Sequence, residues 1–396
     1  MRYREAAPFM IRAGMTIAAF LPFVFNRQSI ILALSCVWMI NLYSFCTVML
    51  DAQYLYLAMA LLYLFSEPKG FSNCKKLCCI WAYFALISLI YFDNQQFLTM
   101  TIVGMAVFSG VNDESDLKLL DNSLVMVALY FSILFLFNRE AFTIVYNEDL
   151  GLERSGWMNA NVFGSFVSLG SVIAVGHLTR HINIQTTPLE RWLYIATAAL
   201  GLMVLLVNAS RGALLTFVIS TALFVFLSGA GKSYKILFVV AMAFLAFILY
   251  NQGYFELILY RMELDSNATV GNRSQIWKSK LEAFSQFNVF ETVFGISRNG
   301  CFSIRSGGVM MSTHNDFITA LVGYGLVGLL LYVILYVKTF FKADRTKRLS
   351  VLVLLLAMAM EAAVAEPIFR GHFMSIVFFV FIYKFATIPS GRASEQ

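Results

Sequence analysis

Charged side chains are scarce in this sequence: Asp, Glu, Lys and Arg together make up 13% of its 396 residues. Soluble domains carry about 25% charged residues, so an ordinary cytosolic globular protein is excluded. Hydrophobic residues make up 59%, which excludes a disordered chain, because disorder requires low hydrophobicity. A helix needs about 20 apolar residues to cross a bilayer. The composition therefore predicts an all-α polytopic membrane protein.

Cysteine is too sparse and too scattered for a disulfide framework. Two cysteines fall within apolar runs, three share one short loop without a C-x2-C spacing or a nearby histidine, and Cys301 stands alone in the longest loop. A zinc site is therefore not expected. The sequence also lacks a phosphate-binding loop, a dinucleotide fingerprint and a Ser-His-Asp pattern. The basic residues lie in short connections, so no nucleic-acid partner is expected.

The apolar runs divide the chain into three parts. Residues 1–251 hold about nine or ten N-terminal transmembrane helices, 252–314 form a large loop, and 315–396 hold C-terminal transmembrane helices and a tail. We expect about twelve crossings, or thirteen if every run crosses. The candidate runs are 8–25, 29–49, 52–66, 77–93, 96–112, 119–138, 159–178, 190–208, 212–229, 234–251, 315–337, 349–365 and 370–388.

Basic residues in short loops predict the orientation of the chain. Segment 338–348 contains five basic residues and one aspartate, so we place it in the cytoplasm. The loop 252–314 then lies outside, which means the periplasm or the extracellular space for a bacterial protein. Three arginines within the first twelve residues favour an internal N-terminus, whereas thirteen crossings would place it outside. Either the run 8–25 lies along the membrane, or one span has been divided within 29–66.

Ionisable residues at membrane depth are costly and usually functional. Arg211 lies in a break between two apolar runs, Arg370 at the outer end of a span, and His314 where the large loop enters the next span. A guanidinium group grips phosphate oxygens in pairs. Three structural alternatives remain: Arg211 snorkels at a helix end, Arg370 pairs with Glu366, and His314 has a structural role.

The large loop contains an amphipathic stretch, residues 272–288. At helical spacing, Ile276, Trp277, Leu281 and Phe284 share one face and basic residues occupy much of the rest. This pattern is typical of a helix that lies at a membrane surface.

Metal-binding patterns are weak. His177 and His181 have the i,i+4 spacing that can hold a metal ion on a helix, but no third ligand is visible in the sequence. The acidic run 113–116 is a short turn, for which solvation is the simpler interpretation. The sequence therefore predicts no metal and no cofactor.

Four outer-face elements carry a resemblance to a known family. They are the Ser210-Arg211-Gly212 helix start, Gly271-Asn272-Arg273 followed by Trp277, the Asn159-Ala-Asn161-Val-Phe163-Gly164 entry to an earlier span, and His314-Asn315 followed after nine residues by Gly325-x2-Gly328. The order of these elements within residues 155–340, and their expected common side of the membrane, resemble the pattern of the superfamily of O-antigen polymerases and O-antigen ligases.

The resemblance implies a glycosyltransferase that uses an undecaprenyl-pyrophosphate-linked oligosaccharide, without metal and with inversion. Arg211, Arg273 and Arg370 would bind the pyrophosphate, because fixed cations stabilise charge that grows on a leaving group. His314 would be the catalytic base, since a neutral imidazole suits that role near pH 7. Asn315 and Asn161 would orient substrate.

Two enzymatic activities of this superfamily remain as alternatives for this protein. A Wzy-type polymerase would join repeat units, whereas a ligase would transfer the finished glycan to lipid A-core. Leu329-Leu330 stands where many ligases carry hydroxyl residues, and His-Asn-Asp at 314–316 is similar to the polymerases. Expected partners are the lipid-linked oligosaccharide, membrane lipids and a chain-length regulator. A lipid flippase or a structural membrane subunit remains the alternative from another class.

Overall fold

The computed structural model describes residues 60–61, 63–64, 80–91, 95–137, 143–147, 152–155, 160–208, 210–229, 231–251, 273–366, 368–369 and 373–389. The candidate runs 8–25 and 29–49, nearly all of 52–66, Arg370, and residues 271–272 of the Arg273 motif lie outside these ranges.

The described part of the chain is mainly helical. Its helices are α1 (Ile80–Ile90), α2 (Gln95–Gly110), α3 (Glu114–Phe137), α4 (Ala160–Leu178), α5 (Pro188–Val207), α6 (Arg211–Leu227), α7 (Lys232–Asn251), α8 (Arg273–Ser285), α9 (Val289–Phe294), α10 (Ser297–Ser303), α11 (Asp316–Lys342), α12 (Arg348–Ala365) and α13 (Phe373–Thr387). From α2 to α7 and from α11 to α13, the helices begin and end close to the apolar runs that predicted them.

Four of these helices, α3, α5, α11 and α12, are long and apolar enough to cross a membrane. Helices α1, α2, α4, α6 and α13 contain shorter apolar stretches. Continuous apolar sequence favours helices at such depth, because every backbone polar group must be bonded within the segment. The protein is therefore a helical membrane protein, as the composition predicts.

Two short antiparallel hairpins interrupt the helices. Strand β1 (Thr143–Asn147) pairs with β2 (Leu152–Ser155), with an irregularity in register between Val145 and Asn147. Strand β3 (Arg305–Ser306) pairs with β4 (Val309–Met310). The all-α expectation missed both hairpins, because their strands of two to five residues are too short to give a periodic signal.

Helix α4 lies at the centre of the bundle and packs against α3, α5, α6, α12 and α13. Its inward residues, among them Phe163, Phe166 and Leu169, are fully or almost fully buried. Phe131 of α3 stacks on Phe166 with ring centroids 5.8 Å apart. This packing fixes the positions of the helix ends on both sides of the core.

One end of the bundle gathers the basic connections. The Ser350 hydroxyl donates to the His181 carbonyl at 2.8 Å, and Lys384 donates to the Val111 carbonyl at 2.6 Å. Lys118 pairs with Glu190 at 3.0 Å. The connections after α2, α4 and α11 and the C-terminal end of α13 therefore meet at this end, in keeping with the shared side that the basic residues predict.

Candidate functional site

The opposite end of the bundle is built around the C-terminal end of α12. Helix α6 begins there with Arg211, and its next residue packs directly on α12. A methyl group on Gly212 would lie 2.4 Å from the Val364 side chain. Glycine at 212 thus lets the first turn of α6, with its arginine, approach α12 closely.

The first turn of α4 joins this contact. The Ser210 hydroxyl, at the N-cap of α6, donates to the Asn161 Oδ1 at 3.4 Å. One turn further along α4, Ser165 and Ser168 both donate to the Glu361 carboxylate of α12, the latter at 2.8 Å. Asn161 therefore lies beside the start of α6 and above a buried carboxylate.

Helix α11 begins at the same place. Its N-cap is Asn315, whose Oδ1 accepts from the Ile318 N–H at 3.1 Å. The Asn315 side-chain amide also donates to the Ala363 carbonyl of α12 at 3.2 Å. Because Asn315 bonds to both helices, it fixes the loop that carries His314 against the end of α12.

His314 has a positive φ of 51°. Non-glycine residues rarely adopt this conformation, although histidine tolerates it better than most. Two other non-glycine residues with positive φ, Ser297 and Glu366, lie in segments that meet at the same end of the protein. Strained backbone of this kind is concentrated at functional sites.

Helix α8 carries Arg273 as its first residue. The Trp277 indole N–H, one turn later, donates to the Thr313 carbonyl at 2.8 Å. Ile276 between them is 1% exposed. This contact holds α8 against the residue that precedes His314, so Arg273 and His314 belong to adjoining segments.

The buried face of α8 differs from the expected one. Lys280 is fully buried, whereas Leu281, predicted on the apolar face, is 44% exposed. The Lys280 ammonium donates to the carbonyls of Cys301 at 2.5 Å and Ile304 at 2.6 Å. The prediction for Leu281 is wrong, because the Lys280 ammonium binds the carbonyls at the end of α10. This contact sets the rotation of α8 about its axis and leaves Leu281 partly exposed.

Burial also changes the ionisation of this loop. It lowers the pKa of Lys280 below the usual range for lysine and raises the pKa of the Cys301 thiol to about 12. Both shifts follow from the cost of a charge that is removed from water. Cys301 is a buried free thiol that stays protonated near neutral pH, so it is a poor nucleophile there.

Three buried carboxylates underlie this end of the bundle, and the site prediction omitted all three. Asp316 accepts from the backbone N–H groups of Ile368 at 3.0 Å and Phe369 at 3.2 Å. Glu366 accepts from Thr319 at 2.8 Å and from Ser312, and lies 3.7 Å from the Arg298 guanidinium. The third is Glu361. Its position within the apolar run 349–365 was the sequence signal that could have identified it.

The kink of α11 explains the glycines of the motif. Gly325 has φ 72° and ψ −173° within the helix, and a methyl group there would lie 2.2 Å from the Val293 carbonyl oxygen. Helices α9 and α10 pack on α11 around this point. The Tyr83 hydroxyl donates to the Tyr324 carbonyl at 2.8 Å. Glycine at 325 therefore allows the backbones of α9 and α11 to approach closely.

The arrangement is suited to an anion. Helices α4, α6 and α11 all begin at this end, and helix N-termini favour negative charge. Arg211 and Arg273 stand at the first positions of α6 and α8. Within the described ranges, no group of three His, Cys, Asp or Glu residues could hold a metal ion.

The two histidines with i,i+4 spacing lie at the other end and have separate partners. His177 Nε2 lies 2.6 Å from the Asp121 carboxylate, and His181 Nε2 lies 2.9 Å from the Phe224 carbonyl. The two rings therefore do not converge on one point.

Residues 196–333 match the family model Wzy_C, described as O-Antigen ligase. The match confirms the resemblance seen in the motifs. It includes Arg211, Arg273, His314, Asn315 and Gly325, whereas the first turn of α4 and the end of α12 lie outside it. A comparison with curated proteins found no match.

Proposed function

Because residues 196–333 form a domain of the O-antigen polymerase and ligase superfamily, we propose that this membrane protein is a Wzy-type polymerase. It would join undecaprenyl-pyrophosphate-linked oligosaccharide repeat units of an O-antigen or capsule. In this proposal the chain crosses the bacterial inner membrane about twelve times and its site faces the periplasm. A chain-length regulator is a further proposed partner.

The observation that carries the proposal is the meeting of four predicted site segments around the end of α12. Ser210 bonds to Asn161, Asn315 bonds to Ala363 of α12, and Trp277 bonds to Thr313. Residues far apart in sequence thus occupy one end of the bundle. That end is opposite the basic connections, as a periplasmic site requires under the positive-inside rule.

Binding of the pyrophosphate would fall to Arg211 and Arg273. Each lies in the first turn of its helix, so the guanidinium and the helix N-terminus add favourable charge at the same place. As the bond between the anomeric carbon and the pyrophosphate oxygen breaks, negative charge grows on the leaving group. Fixed cations stabilise that charge more in the transition state than in the ground state. Arg370 is a third proposed ligand.

Proton transfer would fall to His314. The acceptor sugar hydroxyl attacks the anomeric carbon, its proton passes to the imidazole, and undecaprenyl pyrophosphate departs with the bonding electron pair. A direct attack of this kind inverts the anomeric centre. In this proposal arginines neutralise the charge on the pyrophosphate, as a metal ion does in other transferases. Asn315 and Asn161 would orient the sugars on either side of this bond.

A ligase is the second candidate, because the matching family is described as O-Antigen ligase. Both activities would use the same donor site and differ in the acceptor, a second lipid-linked glycan or lipid A-core. The motif features that favour a polymerase are His-Asn-Asp at 314–316 and the leucines at 329–330.

The test uses a strain that lacks this gene and makes the cognate lipid-linked repeat unit. Complementation with Arg211→Ala, Arg273→Ala or His314→Ala should abolish the ladder of surface polysaccharide while protein levels in the membrane persist. Arg305→Ala is the matched control, since Arg305 is an exposed arginine in the same large loop and should leave the ladder intact. Ladders from all three site variants would remove the proposed site.

The deletion strain also separates the two activities. Loss of a polymerase leaves core bearing one repeat unit, whereas loss of a ligase leaves bare core. Electrophoresis of the surface polysaccharide shows which product accumulates, and bare core would replace the polymerase with the ligase.

A further inference from the structure

A cavity of about 680 Å³ opens at the basic end of the bundle, at the opposite ends of α4 and α6 from the proposed glycan site. It lies between the connection from α4 to α5 and the facing sides of these helices. Its volume falls in the range of about 300–1,000 Å³ that is usual for small-molecule sites. The lining residues that matter are Arg180, Arg191, Asn183, Gln185 and His177.

The charge of the cavity is one-sided. Among the described residues, the lining contains two arginines and no carboxylate. The nearby Glu190 carboxylate is already engaged, because it pairs with Lys118 at 3.0 Å and accepts from Asn122 at 3.0 Å. The arginines therefore present their charge to whatever enters the cavity.

The inner wall is a rigid polar cluster. The His177 ring stacks on Tyr194 with centroids 4.4 Å apart, and its Nε2 contacts Asp121 at 2.6 Å. The His177 side chain is 1% exposed, and its Nδ1 has no hydrogen-bond partner within the described residues. The Asp121 Oδ1 of the same pair also has no partner among the described residues. Both atoms are closed to solvent, so the His177–Asp121 pair forms a fixed inner wall of the cavity.

The connection that forms the rim is anchored on both sides. The Ile182 N–H donates to the Gly176 carbonyl at 3.0 Å, and Ser350 of α12 holds the His181 carbonyl. Arg180 has a positive φ of 62°, a conformation that an arginine seldom adopts. The fold thus maintains strained backbone at a position that faces the cavity.

The rim also indicates where the ligand comes from. Leu189 and Trp192 flank Arg191 in the first turns of α5 and are each 70% exposed. Exposed tryptophan at the end of a spanning helix is typical of the membrane–water interface. The arginines consequently lie at the depth of lipid headgroups.

We propose that this cavity binds the phosphate-bearing headgroup of an acidic phospholipid, with Arg180 and Arg191 as its phosphate ligands. Arginine recognises phosphate through paired hydrogen bonds, and the absence of carboxylates in the described lining favours a headgroup with net negative charge. The inference is independent of the proposed function, because it concerns the other end of the protein and none of the glycan-site residues.

The test is native mass spectrometry of the full-length protein in detergent, titrated with phosphatidylglycerol and, separately, with phosphatidylcholine. The wild type should bind phosphatidylglycerol about tenfold more tightly, and Arg180→Gln/Arg191→Gln should lose about tenfold, the size expected for charge-assisted hydrogen bonds. Lys342→Gln/Arg345→Gln is the matched control, since it removes the same charge from exposed positions at the same end and should bind like the wild type.

Two further measurements complete the test. Asn183→Trp fills the cavity and keeps both arginines, so it should weaken binding even if the double arginine variant does not fold. Inorganic phosphate serves as the soluble competitor. Equal binding of both lipids, an equal loss in the control variant, or binding of phosphate without binding of lipid would overturn the proposal.

Discussion

Replacement of Gly325 by alanine should separate the loop helices α9 and α10 from α11. The backbone of Gly325 has φ 72° and ψ −173°, a region that is essentially restricted to glycine and costs about 1–3 kcal/mol for other residues. The added methyl group would also lie 2.2 Å from the Val293 carbonyl oxygen. Relief of this overlap requires a backbone shift of about 1 Å, and overpacking of this kind costs a further 1–3 kcal/mol or so.

The expected loss of stability is therefore about 2–6 kcal/mol. Gly308→Ala is the matched control, because Gly308 also has a positive φ, 85°, but no atom lies within 4 Å of the added methyl group. It should show only the backbone strain, about 1–2 kcal/mol. Gly323→Ala should cost less than Gly325→Ala, since its methyl group would lie 3.1 Å from the Ser297 carbonyl oxygen and its φ is not positive.

Thermal unfolding of the purified protein in one detergent, at one heating rate, measures the difference. The Tm should fall at least about twice as far for Gly325→Ala as for Gly308→Ala. If the two variants unfold at the same temperature, the packing of Val293 on Gly325 does not contribute to stability and the reasoning is refuted.

Two further changes probe the end of α12. Asn315→Ala removes the N-cap of α11 and the bond to Ala363, so it should cost about 1–2 kcal/mol of stability. Asn315→Asp keeps the cap but loses the amide donor to Ala363, so it should recover only part of this loss in the same melt, and equal losses would argue against the cap. Glu366→Ala leaves Ser312 and Thr319 without their acceptor and the Arg298 guanidinium without its counter-charge, and should destabilise by about 3–5 kcal/mol. Glu366→Gln should recover part of this loss, and a wild-type Tm for the alanine variant would show that the carboxylate does not hold these groups.

Much of the helical layout was predictable because it depends on local sequence. The run 349–365 became α12, Arg348–Ala365, and the break at Ser210–Arg211 became the start of α6. The motif spacing also located Gly325, whose conformation only glycine readily adopts. Outside the described residues, the predictions for Arg370 and the first spans stay predictions.

The rotation of α8 was not predictable from its own residues. Apolar spacing places Ile276 and Leu281 together, yet Lys280 is the buried residue. Its burial is favoured by the carbonyls of Cys301 and Ile304, more than twenty positions further along the chain. No pattern within 272–288 contains that information.

The sequence by itself determined that this is a helical membrane protein, which segments are apolar helices, and which residues resemble the motifs of a known family. Hydrophobic run length and local capping suffice for these features, because they act within a few turns of chain. Only the tertiary structure decided that the starts of α4, α6 and α11 meet at the end of α12, that Glu361, Glu366 and Asp316 lie buried beneath them, and that a two-arginine cavity opens at the other end. Those features arise from contacts between residues tens to hundreds of positions apart, and such contacts are set by packing of the whole bundle.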